Sequence, residues 1–126
     1  MTSIAPREVE YAVVDDPSWL GSAHGVNATR SITLDVSKFT KSTHYPNGVI
    51  PSGTAVAKIA ASGKYGPAGE DATDDVVFTF GSRRVADGAT SILVAGLDHG
   101  RVVESRLPVP VDAAVKTAIG SRIQFV

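Results

Sequence analysis

The sequence predicts a small, mainly β, barrel-like domain with one short helix near its C-terminus and an extended N-terminal arm. Three observations carry that expectation. From Thr29 onward, short segments place apolar residues at every second position, the period of a half-buried strand. Pro-Asn-Gly, Pro-Ser-Gly and Asp-His-Gly punctuate these segments, supplying the fixed φ and the positive-φ tolerance that tight turns need. The stretch before Thr29 is broken by Pro6 and Pro17 and has no sustained period, yet it holds the only Trp. A length of 126 residues fits one folded unit, so the division expected is an arm over residues 1–28 and a β domain over residues 29–126.

Taken in order, "RSITLDVSKF" alternates Ile32, Leu34 and Val36 with Thr33, Asp35 and Ser37, a strand with one buried face. "HYPNGVIPSGT" contains two turns, and "TAVAKIAA" reads as the second strand. "SGKYGPAGEDATDD" reads as a long polar loop. In "VVFTF", Val76, Phe78 and Phe80 share a face of a third strand, and "GSRRVADGAT" follows as a loop. "SILVAGL" is a continuous apolar run between turn formers, as expected of a strand buried on both faces. Asp98-His99-Gly100 is placed to make a hairpin into "RVVESRL". "LPVPV" is extended, because Pro108 and Pro110 lack N–H donors and push their predecessors out of the helical region. The helix starts at Asp112, a capping residue, carries Val115, Ala118 and Ile119 at helical spacing and exits at Gly120. "RIQFV" closes the chain with Ile123 and Phe125 on one face of an extended segment.

Composition narrows the function. Hydrophobic residues make up 43% of the chain but aromatics only 6%, so the core is one of Val, Ile, Leu and Ala. Net charge is −1 with Lys and Arg dispersed. That distribution lacks the basic stripe by which proteins neutralise phosphates, so no direct nucleic-acid partner is expected. The absence of Cys removes disulfides, thiolate metal sites and a cysteine nucleophile. No apolar run approaches the roughly 18 residues of a membrane helix, and the first residues lack the basic and apolar regions of a signal peptide. Synthesis in a cytoplasm without membrane association is the expectation.

Ser22 and His24 in "WLGSAHG" are the residue types of a serine hydrolase. A triad, however, draws its base, nucleophile and orienting carboxylate from separate elements, and the Gly-x-Ser-x-Gly elbow is missing. Gly21, Ser22, Ala23 and Gly25 instead suit a backbone that packs closely against another surface. His24, His44 and His99 have no ligand-like spacing. "GEDATDD" holds four acidic residues but not the register of a calcium loop. Arg83 and Arg84 can meet a carboxylate on a partner or simply solvate a turn, and "SGKYGPAG" is no phosphate loop. The residues therefore suggest no enzyme, cofactor or metal.

In order and spacing, "WLGSAHG", "NATRSITLDVSKF", "PNGVIPSGTAVAKI", "YGPAG", "AGLDHGRVVESRLP" and "VDAAVKTAIGSRIQFV" resemble the head decoration proteins of tailed bacteriophages. The resemblance is to the lambda-type family, above all to members from phages and prophages of actinobacteria, and runs from about Trp19 to the end. It implies a β-tulip fold and a homotrimer seated at local three-fold positions on the outer surface of the expanded capsid. There the trimer clamps capsid subunits and stiffens the shell against DNA pressure. The N-terminal arm, disordered when free, is implied to order against the major capsid protein, partly by strand addition. Tyr11, Trp19 and Leu20 suit such burial, since aromatic anchors dominate binding energy and added strands bring backbone hydrogen bonds. The capsid contacts expected are Tyr11, Trp19, Leu20, Ser22, His24 and Thr29. Two other readings of the residues stand beside this one. The first is a small β-barrel enzyme or ligand-binding domain using His24, His44 or His99; the second is an interaction module of a cellular complex.

Overall fold

The computed structural model describes residues 17–22 and 29–126. Among these described residues, nine strands and two helices follow one another as β1 (Arg30–Asp35), α1 (Lys41–His44), β2 (Val49–Ile50), β3 (Ala55–Lys58), β4 (Tyr65–Pro67), β5 (Val77–Phe80), β6 (Arg83–Arg84), β7 (Ser91–Leu97), β8 (Gly100–Val102), α2 (Ala113–Ile119) and β9 (Ile123–Phe125). Strands β1, β4, β3, β5 and β7 form a closed barrel, as the mainly β, barrel-like expectation requires. Closure removes the unpaired edges an open sheet would expose.

The alternation in β1 determines which side faces in. Ile32 and Leu34 are buried and join Val56, Tyr65, Val77 and Val94 in the cluster that fills the barrel. β1 ends where the Asp35 carboxylate accepts hydrogen bonds from the Ser37 backbone N–H at 3.1 Å and its hydroxyl at 2.6 Å, a side-chain turn that competes with continued pairing. A second core lies outside the barrel wall, where Trp19, Phe78, Leu97, Val102, Val115, Ile119 and Ile123 pack together. The central part of β5 is therefore buried on both faces, with Val77, Phe78 and Thr79 fully enclosed.

Several elements differ from the sequence expectation. The segment read as one polar loop contains β4, which pairs parallel with β1 and antiparallel with β3 and so completes the barrel. The loop expected after β5 contains β6, paired with β2. β7 is not buried on both faces throughout: Leu93 is 63% exposed, because the outer layer covers only the later half of this strand. Asp98-His99-Gly100 makes no hairpin, since β8 leaves the barrel and pairs parallel with β9. Helix α2 starts and stops where expected, with Gly120 at φ 64°. Its Asp112 side chain makes no capping hydrogen bond, and the buried residues are Val115 and Ile119, while Ala118 is exposed. The helix is two turns long, so its buried stripe needs only the i, i+4 pair.

Candidate functional site: the Trp19 strap and the Arg30 cluster

Residues 17–22, within the expected arm of residues 1–28, pack against the β domain. Pro17–Trp19 form a single 3₁₀ turn, and Trp19 is 1% exposed. Its indole lies against Phe78 at 5.9 Å and Phe80 at 6.5 Å between ring centroids. The indole N–H donates to Ser52 Oγ at 3.2 Å, and the same oxygen accepts from the Gly81 N–H at 3.0 Å. A buried Trp needs such a partner for its N–H. The slot is cut to shape by Gly53, at φ 91°, where an added Cβ would come within 2.9 Å of the indole and 3.1 Å of Pro108.

Beyond the indole the backbone runs as a strap along β8. The Val103 N–H donates to the Trp19 carbonyl at 2.6 Å and the Gly21 N–H to the Arg101 carbonyl at 2.7 Å. Leu20 bridges antiparallel to Val102. Gly21 is small for a reason, since a Cβ there would meet Arg101 Cγ at 2.8 Å. The close backbone approach expected of the Gly-Ser-Ala-x-Gly stretch therefore occurs at Gly21, and the surface approached is the chain's own β8.

The expected capsid contacts separate accordingly. Trp19 is enclosed by its own fold, so its indole holds the strap instead of presenting an anchor to solvent. Leu20 is half-buried against the outer core. Ser22 and Thr29 are partly exposed at either end of the interval that leads into β1. Tyr11 and His24 lie outside the described residues, and with His24 one member of the Ser22–His24 combination. The other two histidines are not brought together. His44 accepts the Thr40 N–H at Nδ1, 2.8 Å away, and sets its ring edge-on to Phe39. His99 pairs through Nδ1 with Asp98 at 2.8 Å. Among the described residues no three His, Asp or Glu side chains gather as a metal cluster.

What sequence reasoning missed is an ion network at the barrel end next to the strap. Arg30, the first residue of β1, donates from Nη2 to Asp75 at 2.9 Å, from Nε to Asp98 at 3.1 Å and from Nη1 to the Tyr65 hydroxyl at 3.1 Å. Tyr65 donates in turn to Asp75 at 2.6 Å. Asp75 holds a left-handed backbone, φ 47°, which costs a non-glycine residue about 1–2 kcal/mol. Arg122 adds a fourth direction, donating to the carbonyls of Asp98 at 2.8 Å and Val76 at 3.0 Å.

The electrostatics follow the geometry. Partial burial works against ionisation of Asp75, but the hydrogen bonds from Tyr65 and Arg30 outweigh it and hold the carboxyl below its ordinary range. At Asp98 burial again opposes, and His99 with Arg30 prevails in the same direction. Burial and the bond to Asp75 push the Tyr65 hydroxyl up. Burial opposes the charge on Arg30 as well, yet its bonds to Asp75 and Tyr65 raise its pKa. No local motif marks this cluster, because its members come from β1, β4, the approach to β5 and the β7–β8 connection. The one sequence hint is an Arg opening an otherwise apolar strand.

Comparison with protein-family models gave no match to this chain, and comparison with curated proteins and with solved structures gave none either.

Proposed function

We propose that the protein is a capsid decoration protein of a tailed phage, which binds as a homotrimer at three-fold positions on the outside of the expanded head and stabilises it. The ordered set of segments from Trp19 to the C-terminus supports this reading. The observation that carries it is the strap. A segment fixed by a buried indole and paired along β8 gives the residues before Pro17 a firm root, so tension on them passes into the barrel. Those sixteen residues hold four acidic side chains against one basic, and Tyr11 with Val13 and Val14, a composition able to bury an apolar stretch on a partner. Three such segments on one trimer would bind far more tightly than one. The working partner is the major capsid protein; no cofactor is involved.

The strap also dictates how to test the reading. Removing everything before Thr29 would take away Trp19 and damage the core, so lost binding would be uninterpretable. The informative comparison is the full chain against a chain beginning at Pro17, each mixed with expanded heads of the phage or prophage that encodes it. The full chain is expected to decorate the heads in multiples of three and to raise their disruption temperature. The shortened chain, folded by circular dichroism, is expected to lose most of that binding. Equal decoration by both proteins would refute a docking role for residues 1–16, and no decoration by the full chain would refute the capsid reading itself.

A further inference from the structure

A groove on the outside of the barrel begins where the Trp19 slot ends. Gly53 closes that slot against the indole and Pro108. The residues that follow these two, Thr54 and Ala55 on one side and Val109 and Pro110 on the other, line a hollow of about 160 Å³. A second hollow of about 370 Å³, with Lys38, Ala57, Lys58 and Ile59 in its lining, shares His44 and Pro67 with the first. The groove therefore follows β3 away from the slot, apolar near it and basic at the far end. Three groups there lack a bonding partner among the described residues. The Lys38 and Lys58 side chains are exposed and make no ion pair, whereas Lys64 bonds to Ser91 and Lys116 to Glu104. His44 is the third. Its Nδ1 accepts the Thr40 N–H, so the neutral ring carries its proton on Nε2, and that N–H has no acceptor.

We propose that this groove is the docking site of residues 8–16 of the same chain. Residues 1–16, outside the described part, hold four acidic side chains against one basic, while residues 17–126 hold eleven basic against nine acidic. Charge therefore draws the segment back onto its own body. It emerges at Pro17, beside Trp19 and so at the mouth of the groove. An extended chain advances about 3.3 Å per residue, which lets Val13 and Val14 lie over the apolar hollow and carries Glu10 and Glu8 to the lysines. The valines leave water there, and the carboxylates supply the acceptors that the His44 N–H and the two ammonium groups lack. Docking stows the segment until a partner displaces it, in contrast to the disorder of the free arm that the resemblance implies. The inference concerns the protein by itself and is independent of the capsid reading.

The chain has no Cys, so Ala5→Cys gives the full-length protein a single site for a nitroxide, whose paramagnetism broadens nearby amide signals in nuclear magnetic resonance. The amides of Ala57, Lys58 and Gly66 are expected to lose most of their intensity. Those of Ser31, Thr33 and Leu93, on the β1–β7 side of the barrel, are expected to lose little. Reversing charge with Lys38→Glu and Lys58→Glu together is expected to restore the groove signals. The matched reversal in β6, Arg83→Glu with Arg84→Glu, is expected to leave them broadened. High salt is expected to restore them in the labelled parent chain, a measurement that needs no further variant to fold. Equal broadening on both sides of the barrel, or groove broadening that neither salt nor the lysine reversal removes, would overturn the proposal. When labelled chains are refolded from urea with unlabelled chains that alone carry heavy nitrogen, the groove signals are expected to stay sharp. Broadened signals in that sample would put a second copy's segment in the groove and overturn docking within one chain.

Discussion

At the scale of single residues, the indole slot sets the sharpest demand. Gly53 answers two constraints at once, a left-handed φ of 91° and an approach in which a Cβ would stand 2.9 Å from Trp19. Gly63 shares the first constraint, φ 75°, but has open space around it. The pair separates backbone strain from steric exclusion. Gly63→Ala is expected to cost about 1 kcal/mol, the strain alone. Gly53→Ala adds displacement of a buried ring and is expected to cost about 3 kcal/mol in total. Urea titration of the two variants measures the difference, and equal losses would show that the slot yields without resistance.

At the scale of elements, legibility in the sequence followed length and periodicity. β1 could be read because six residues alternate cleanly, and α2 because a capping residue, a buried i, i+4 pair and a terminal Gly agree. β4 could not. It is three residues, two of them Gly and Pro, which are depleted from strands, and its place in the barrel is fixed by tertiary contacts. Gly66 lets it lie close to Lys38 (a Cβ would be 3.1 Å from that side chain) and Tyr65 enters the barrel while its hydroxyl joins the ion network. The packing of Trp19 was not legible for a related reason. An isolated Trp in a polar, proline-broken stretch has the composition of a docking anchor, and only the fold shows that its surface is the chain's own. The ion network was invisible because the groups bonded to Arg30 are 35 to 68 residues from it in sequence. Tyr65→Phe tests the link that β4 makes. The variant keeps the ring in the core and leaves Arg30 paired with Asp75, so the expected loss is about 1 kcal/mol, one hydrogen-bonding hydroxyl in a partly solvated network. A loss several times larger in thermal or urea unfolding would mean that the hydroxyl holds the barrel closed.

At the scale of the whole molecule, the two cores share a wall. β5 gives Val77 to the barrel interior and Phe78 to the outer core, with neither side chain exposed. β3 does the same with Val56 and Ala57, and β7 with Val94 and Leu97. A wall used from both sides couples the layers, since loosening one removes the packing that supports the other. At neutral pH the two layers are therefore expected to unfold together. Val115 lies only in the outer core and is 1% exposed, so Val115→Ala perturbs that layer directly and the barrel only through the wall. Burial of this kind puts the expected cost at about 2 kcal/mol. In urea at pH 7, Trp19 fluorescence reports the outer core, and far-ultraviolet circular dichroism reports the backbone structure of both layers, most of its strand in the barrel. Both probes are expected to give one midpoint in the parent protein and one lower, still shared, midpoint in the variant. A Val115→Ala protein whose fluorescence midpoint fell while its circular dichroism midpoint stayed would show that the wall does not couple the layers.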